Sequence, residues 1–220
     1  MTQWEEFYPL VMPQVQGCPV AIVDAAIRAA CGEFCSRTLI WNQEVVCGDL
    51  VAGIRDYKFN NKTSDTSIVM PLHVIIREVK DGKINDHHVC NTNLQDLDTY
   101  AKQWRLSKSS MPQGFYMKTP QTLVFVEEPT RSIPDAIHML CAVKPSRKAK
   151  GVPDFLFEDW GETIAAGALL RLHAMAGRVW ADPQVVSYHT RNFRDGISRA
   201  KSKFVKSWTA QSKTMLPKIF

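Results

Sequence analysis

Apolar and polar positions follow different periods in different stretches of this chain. From Cys18 to Trp41, Val20, Val23, Ile27, Ala30 and Phe34 recur at helical spacing and predict one buried helix face. Pro19 suits a first-turn position, and Asp24 and Arg28 are spaced to pair across one turn. A second stripe, Ala25, Ala29, Gly32 and Ser36, carries only small residues, so another helix could approach closely there. Ahead of this helix, Pro9 and Pro13 oppose helix formation. Met1 to Gly17 therefore reads as an irregular arm, tethered by Trp4, Phe7, Tyr8 and Leu10.

From Gln43 to about Pro145 the period shortens. β-favouring runs alternate with turn signals: "EVVCGDLVAG", "SIVMPLHVIIREV", "KINDHHVC", "GFYMKTPQTLVFVEEP" and "DAIHMLCAVKP". Asp81-Gly82 marks a tight hairpin. A short helix is expected near "LQDLDTYAKQW", within the polar stretch from Asn91 to Ser110. These runs predict an antiparallel lobe of five or six strands.

The helical period returns after "KPSRKAKGVP". Asp154 suits a cap, and "IAAGALLRLHAMA" is apolar nearly all round, as in a helix surrounded by protein. Asp182-Pro183 starts a last helix with Val186, Phe193, Ile197, Ala200, Phe204 and Trp208 on one side. The expected fold class is α+β: a helical bundle from the N-terminal helix and the C-terminal helix pair, with an inserted antiparallel β lobe. The expected divisions are 1–42 (arm and first bundle helix), 43–150 (β-rich lobe), 151–208 (bundle helices) and 209–220 (a docking tail).

Composition narrows the function classes. The chain has 220 residues, 45% hydrophobic and 22% charged, which is ordinary for a globular protein. The first residues lack the basic n-region and apolar run of a signal peptide. Ile164 to Ala176 is too short to span a bilayer and carries Arg171 and His173. A soluble protein without membrane contact is expected. Six cysteines, Cys18, Cys31, Cys35, Cys47, Cys90 and Cys141, fit a reduced environment better than a disulfide framework. Cys31 and Cys35 neighbour each other on a helix face and read as small packing residues.

The net charge of +5 is modest but uneven. From Arg191 to the end, eight Lys and Arg face Asp195 alone. Arg191, Arg194 and Lys201 flank one side of the last helix; Arg199, Lys203 and Lys206 flank the other. This surface suits an acidic partner or passing DNA.

Catalytic signals are weak. Asp86, His87, His88 and Cys90 are metal-ligand types, but on a strand only His88 and Cys90 share a face, short of a four-ligand zinc site. His138 and Cys141 do not share a strand face. His73, His173 and His189 stand alone. No phosphate loop or nucleophile elbow occurs. Neither a catalytic residue, a metal nor a cofactor is expected.

Two segments carry a resemblance. "VDAAIRAACGEFCSRTLIWNQE" resembles the first helix of head-to-tail connector (adaptor, or neck) proteins of tailed bacteriophages. "FEDWGETIAAGALLRLHAMAGRVWADPQVVSYHTRNFRDGISRAKSKF" resembles that family's C-terminal helix pair, through Trp160-Gly161-Glu162, "IAAGAL", Asp182-Pro183 and the Tyr188, Phe193, Gly196 pattern. The resemblance implies a non-enzymatic virion part, made in the host cytoplasm and located at the neck. It implies a homo-oligomeric ring, typically of twelve copies, between the portal protein and a tail or gateway protein. DNA would pass through its channel during genome ejection. It further implies that Met215, Leu216, Ile219 and Phe220 engage the portal. Ala25, Ala29 and Gly32 are assigned to subunit packing, and the basic flanks to the DNA channel or an acidic partner. The alternative is a nucleic-acid-binding module that uses the basic last helix.

Overall fold

A computed structural model describes residues 1–59, 64–101 and 103–209, the last five by backbone alone. In chain order the elements are β1 (Thr2–Gln3), α1 (Tyr8–Val11), α2 (Val20–Thr38), β2 (Asn42–Leu50), β3 (Asp56–Lys58), β4 (Thr66–Lys80) and β5 (Lys83–Asn91). There follow α3 (Leu94–Tyr100), β6 (Lys108–Ser109), β7 (Gly114–Thr119), β8 (Thr122–Phe125), β9 (Glu128–Pro129) and β10 (Ile133–Pro145). The chain closes with β11 (Gly151–Val152), α4 (Asp154–Glu158), α5 (Gly161–His173) and α6 (Pro183–Thr209). They fall into two compact units: Met1–Trp41 with Lys144–Phe220, and Asn42–Val143.

The expected fold class is overturned. The molecule is mixed α/β, and its largest sheet is a seven-stranded core in its own right rather than a lobe on a helical bundle. Its strand order is β2-β10-β4-β5-β7-β8-β3. The sheet is also not purely antiparallel. β5 pairs parallel to β7, with Cys90 opposite Gly114, and a parallel pair requires a crossover, supplied here through α3. The hydrophobic runs identified strands but not their partners, because pairing across a crossover leaves no local signature.

One hairpin of this sheet is set by turn chemistry. Asp81 (φ 51°) and Gly82 (φ 73°) both adopt left-handed conformations, as a two-residue type I′ turn needs. Lys80 therefore pairs with Lys83, and the register runs out to Val74 opposite Val89. Val74, Ile76 and Val89 point to the buried face. His73, Ile75 and Arg77 point to the other. Phe115, Leu123, Phe125, Ile137 and Met139 extend the sheet's core, and Tyr57 meets Phe125 edge-on at 5.3 Å.

In the other unit, α2 buries Val23, Ala26, Ile27, Ala30, Cys31, Phe34 and Cys35. The α5 helix is buried on nearly every side, so its sequence is apolar all round. The α6 helix buries His189, Phe193, Gly196, Ile197 and Ala200. Close approach depends on two glycines outside the small-residue stripe of α2. A Cβ on Gly167 would strike the Phe193 ring at 2.7 Å, and one on Gly196 would strike Thr163. The small-residue stripe lies elsewhere: Ala25 and Ala29 are exposed, and a Cβ on Gly32 would meet nothing within 4 Å.

The N-terminal arm is ordered rather than irregular. Its prolines sit at helix starts, where no N–H is missed, in α1 and the short 3-10 turns around it. Trp4 and Phe7 are buried, and the Trp4 indole donates to the Ala149 carbonyl at 2.9 Å. β1 pairs with β11. Asp154 does not cap a helix; its carboxylate takes the Met1 ammonium at 2.9 Å and the Thr2 hydroxyl at 2.9 Å. A Cβ on Gly151 would collide with the Thr2 carbonyl oxygen. Gly151→Ala is therefore expected to break the β1–β11 pair and cost about 2 kcal/mol. Limited proteolysis should then release the arm, whereas an arm as resistant as the parent's would count against this packing. Among the described residues, no helix is long and apolar enough to cross a membrane.

Candidate interaction surface

The α6 helix carries most of the expected site. At roughly 100° per residue, its basic positions separate into two flanks. Arg191, Arg194 and Lys201 lie on one, and all three are exposed. Arg191 reaches Asp195 only at 3.8 Å. Among the described residues, Arg194 and Lys201 make no ion pair.

The second flank is not a free basic surface. Arg199 and Lys203 border a cleft of about 940 Å³, which also takes in Leu10, Phe157, Trp160 and Asp159. Glu158, Glu162 and Asp195 line it as well, so carboxylates outnumber the two cations. Lys203 donates to Asp159 at 2.9 Å and sits 5.8 Å from the centre of the Trp160 ring. The Trp160 indole N–H is buried with no hydrogen-bond partner among the described residues. The Lys206 side chain, and the tail residues Met215, Leu216, Ile219 and Phe220, lie outside the described residues. Charge counting along α6 finds only Asp195, because Glu158, Asp159 and Glu162 come from the α4–α5 junction, elsewhere in the sequence.

The cysteines are free, and four thiols are biased against ionisation. Burial pushes the Cys47 thiol up to about 12, with the nearby Cys141 thiol adding to the effect. Burial alone pushes Cys141 up to about 12. Cys31 is raised well above the usual thiol value, first by a hydrogen bond with Cys35 and then by burial. Burial also raises Cys18. A nucleophile or metal ligand needs the thiolate, so these four behave as small apolar residues.

The metal-type residues on β5 divide as strand geometry demands. His87 pairs opposite Ile76, and His88 opposite Ile75, so the two histidines face opposite ways. His88 finds a partner that its own segment does not contain. Its Nδ1 lies 2.9 Å from Nε2 of His73 on β4, with ring centroids 4.8 Å apart. Asp86, on the same face, is gripped by Arg77 through contacts of 2.8 and 2.9 Å. That pairing holds the Asp86 carboxyl below its ordinary range. Among the described residues, no group of three or more His, Cys, Asp or Glu could hold a metal ion.

His173 and His189, taken singly in the sequence, also meet. Their rings stack at 5.5 Å with planes 8° apart, between α5 and α6. The His173 Nδ1 donates to the Trp180 carbonyl at 3.0 Å. No protein-family model matches this chain, and no curated protein matches it in sequence.

Proposed function

We propose that this chain is a structural subunit of a ring-shaped head-to-tail connector in a tailed bacteriophage, binding the portal on one side and a tail or gateway protein on the other. One observation carries this reading. The two segments that resemble the connector family are separated by more than a hundred residues, yet α2, α5 and α6 share one hydrophobic core. The exposed Ala25 and Ala29, beside the half-buried Gly32, give a neighbouring copy a surface without long side chains. A closed ring needs such a face on every copy, meeting a different face on the next.

Native mass measurement and electron micrographs of the protein, alone and mixed with its portal, test the reading. A particle of many copies is expected, with Ala25→Arg plus Ala29→Arg reducing it to single chains. Removing Thr214 to Phe220 should leave the fold intact and weaken portal attachment. A chain that stays monomeric with and without the portal would sink the proposal.

The exposed Arg191, Arg194 and Lys201 flank favours a second reading, in which α6 contacts nucleic acid directly. Duplex binding should then weaken steeply with salt. Arg194→Glu with Lys201→Glu should flatten the log–log salt slope by about 1.8, one phosphate contact per lost cation. A slope unchanged by the pair would remove this flank from any DNA contact.

A further inference from the structure

We propose that His73 and His88 form a two-imidazole binding site for a divalent late-transition-metal ion such as Zn2+, on the polar face of the β4–β5 hairpin. Both residues lie on the sheet face opposite the buried Val74, Ile76 and Val89. Their nitrogens, Nε2 of His73 and Nδ1 of His88, already point at each other across 2.9 Å. One must donate and the other accept, so one nitrogen offers its lone pair and the other carries a proton. If the donor ring shifts that proton to its other nitrogen, both lone pairs converge on the same space. The proton stays on the ring, so a neutral pair releases none when the metal binds.

The spacing suits a metal. Zinc–imidazole bonds of about 2.0–2.1 Å, meeting at a near-tetrahedral angle, separate the two nitrogens by roughly 3.4 Å. Opening the pair from 2.9 Å asks for a small ring tilt, and His88 is exposed enough to make it. The hairpin fixes the backbone beneath His88, since its register runs unbroken from Lys80–Lys83 to Val74–Val89, and His73 is the next residue of β4 beyond it. Asp86 is committed to Arg77. Among the described residues no third ligand completes the set, so water fills the remaining positions.

Calorimetric titration of untagged protein with Zn2+ tests the site. One equivalent per chain is expected. His73→Ala and His88→Ala should each abolish the binding, while His87→Ala and Cys90→Ser should leave it intact. Imidazole NMR of the unsubstituted protein provides a readout that does not depend on any variant folding: added Cu2+ should broaden the His73 and His88 ring signals first. No binding, binding that survives loss of either His73 or His88, or binding lost with Cys90 overturns the proposal.

Discussion

Gly196→Val is expected to pry α5 and α6 apart and lower stability by about 3 kcal/mol, the upper range for overpacking a full core. A Cβ at this position would lie 2.5 Å from the Thr163 hydroxyl oxygen and 2.9 Å from the Thr163 Cβ. Thr163 is buried, short and β-branched, so it has no flexible end to swing aside. Valine adds two further carbons to the same space. Relief can come only from moving a backbone, and α5 also packs closely on α2, whose Ala30 would lie 3.0 Å from a Cβ on Gly167. Gly196→Ala should show a smaller loss, about 1–2 kcal/mol. Thr163→Ala should recover part of it, because the methyl and hydroxyl then leave the contact. A urea-denaturation cycle over these two positions measures the coupling. A Gly196→Val protein as stable as the parent would mean that the two helices do not meet here.

This contact also marks where the sequence stopped being legible. Most of the helix faces could be read from spacing: Val23, Ile27, Ala30 and Phe34 are buried, and so are Phe193, Ile197 and Ala200, but Val20, expected on the same face, is 48% exposed. Which small residues admit a neighbour could not be read. Ala25 and Ala29 look like the obvious close-packing stripe, yet they face outward, while single glycines at 167 and 196 receive Phe193 and Thr163. A stripe records a surface without long side chains, not which surface covers it. The sheet divides similarly. The Asp81-Gly82 turn was visible, and counting residues outward from it would have brought His73 and His88 to one face. The parallel β5–β7 pairing had no such marker, since nothing local distinguishes a strand that returns by a turn from one that crosses over. The basic residues of α6 were countable, but apart from Asp195 the acids opposite Arg199 and Lys203, namely Glu158, Asp159 and Glu162, come from the α4–α5 junction. Tertiary neutralisation of this kind is invisible to any tally along one helix.

The stacked pair between α5 and α6 makes stability depend on pH in a definite direction. Burial, and then the His173 ring beside it, hold His189 below the ordinary histidine value of 6.5. The folded state thus binds a proton at His189 less readily than the unfolded chain does. Its contribution is complete above pH 6.5 and is lost as pH falls toward the depressed folded value. A charge on His189 would be buried against the His173 ring, 5.5 Å away. Tyr188, edge-on to His189 at 5.3 Å, and the Trp180 carbonyl offer no compensating charge. Carboxylates lose their stabilisation in a separate, lower window. Arg131 holds Glu78 below 4.5 and Arg77 holds Asp86 below 3.8, so their pairs persist until more acid conditions. Urea midpoints followed by helical circular dichroism should therefore fall between about pH 7.5 and about pH 5. His189→Gln should flatten most of that fall. His73→Gln should remove a smaller part, because His73 is depressed in the same sense but at the more open hairpin face. A His189→Gln protein that weakens with acid as steeply as its parent would show that the stack between α5 and α6 does not govern the loss.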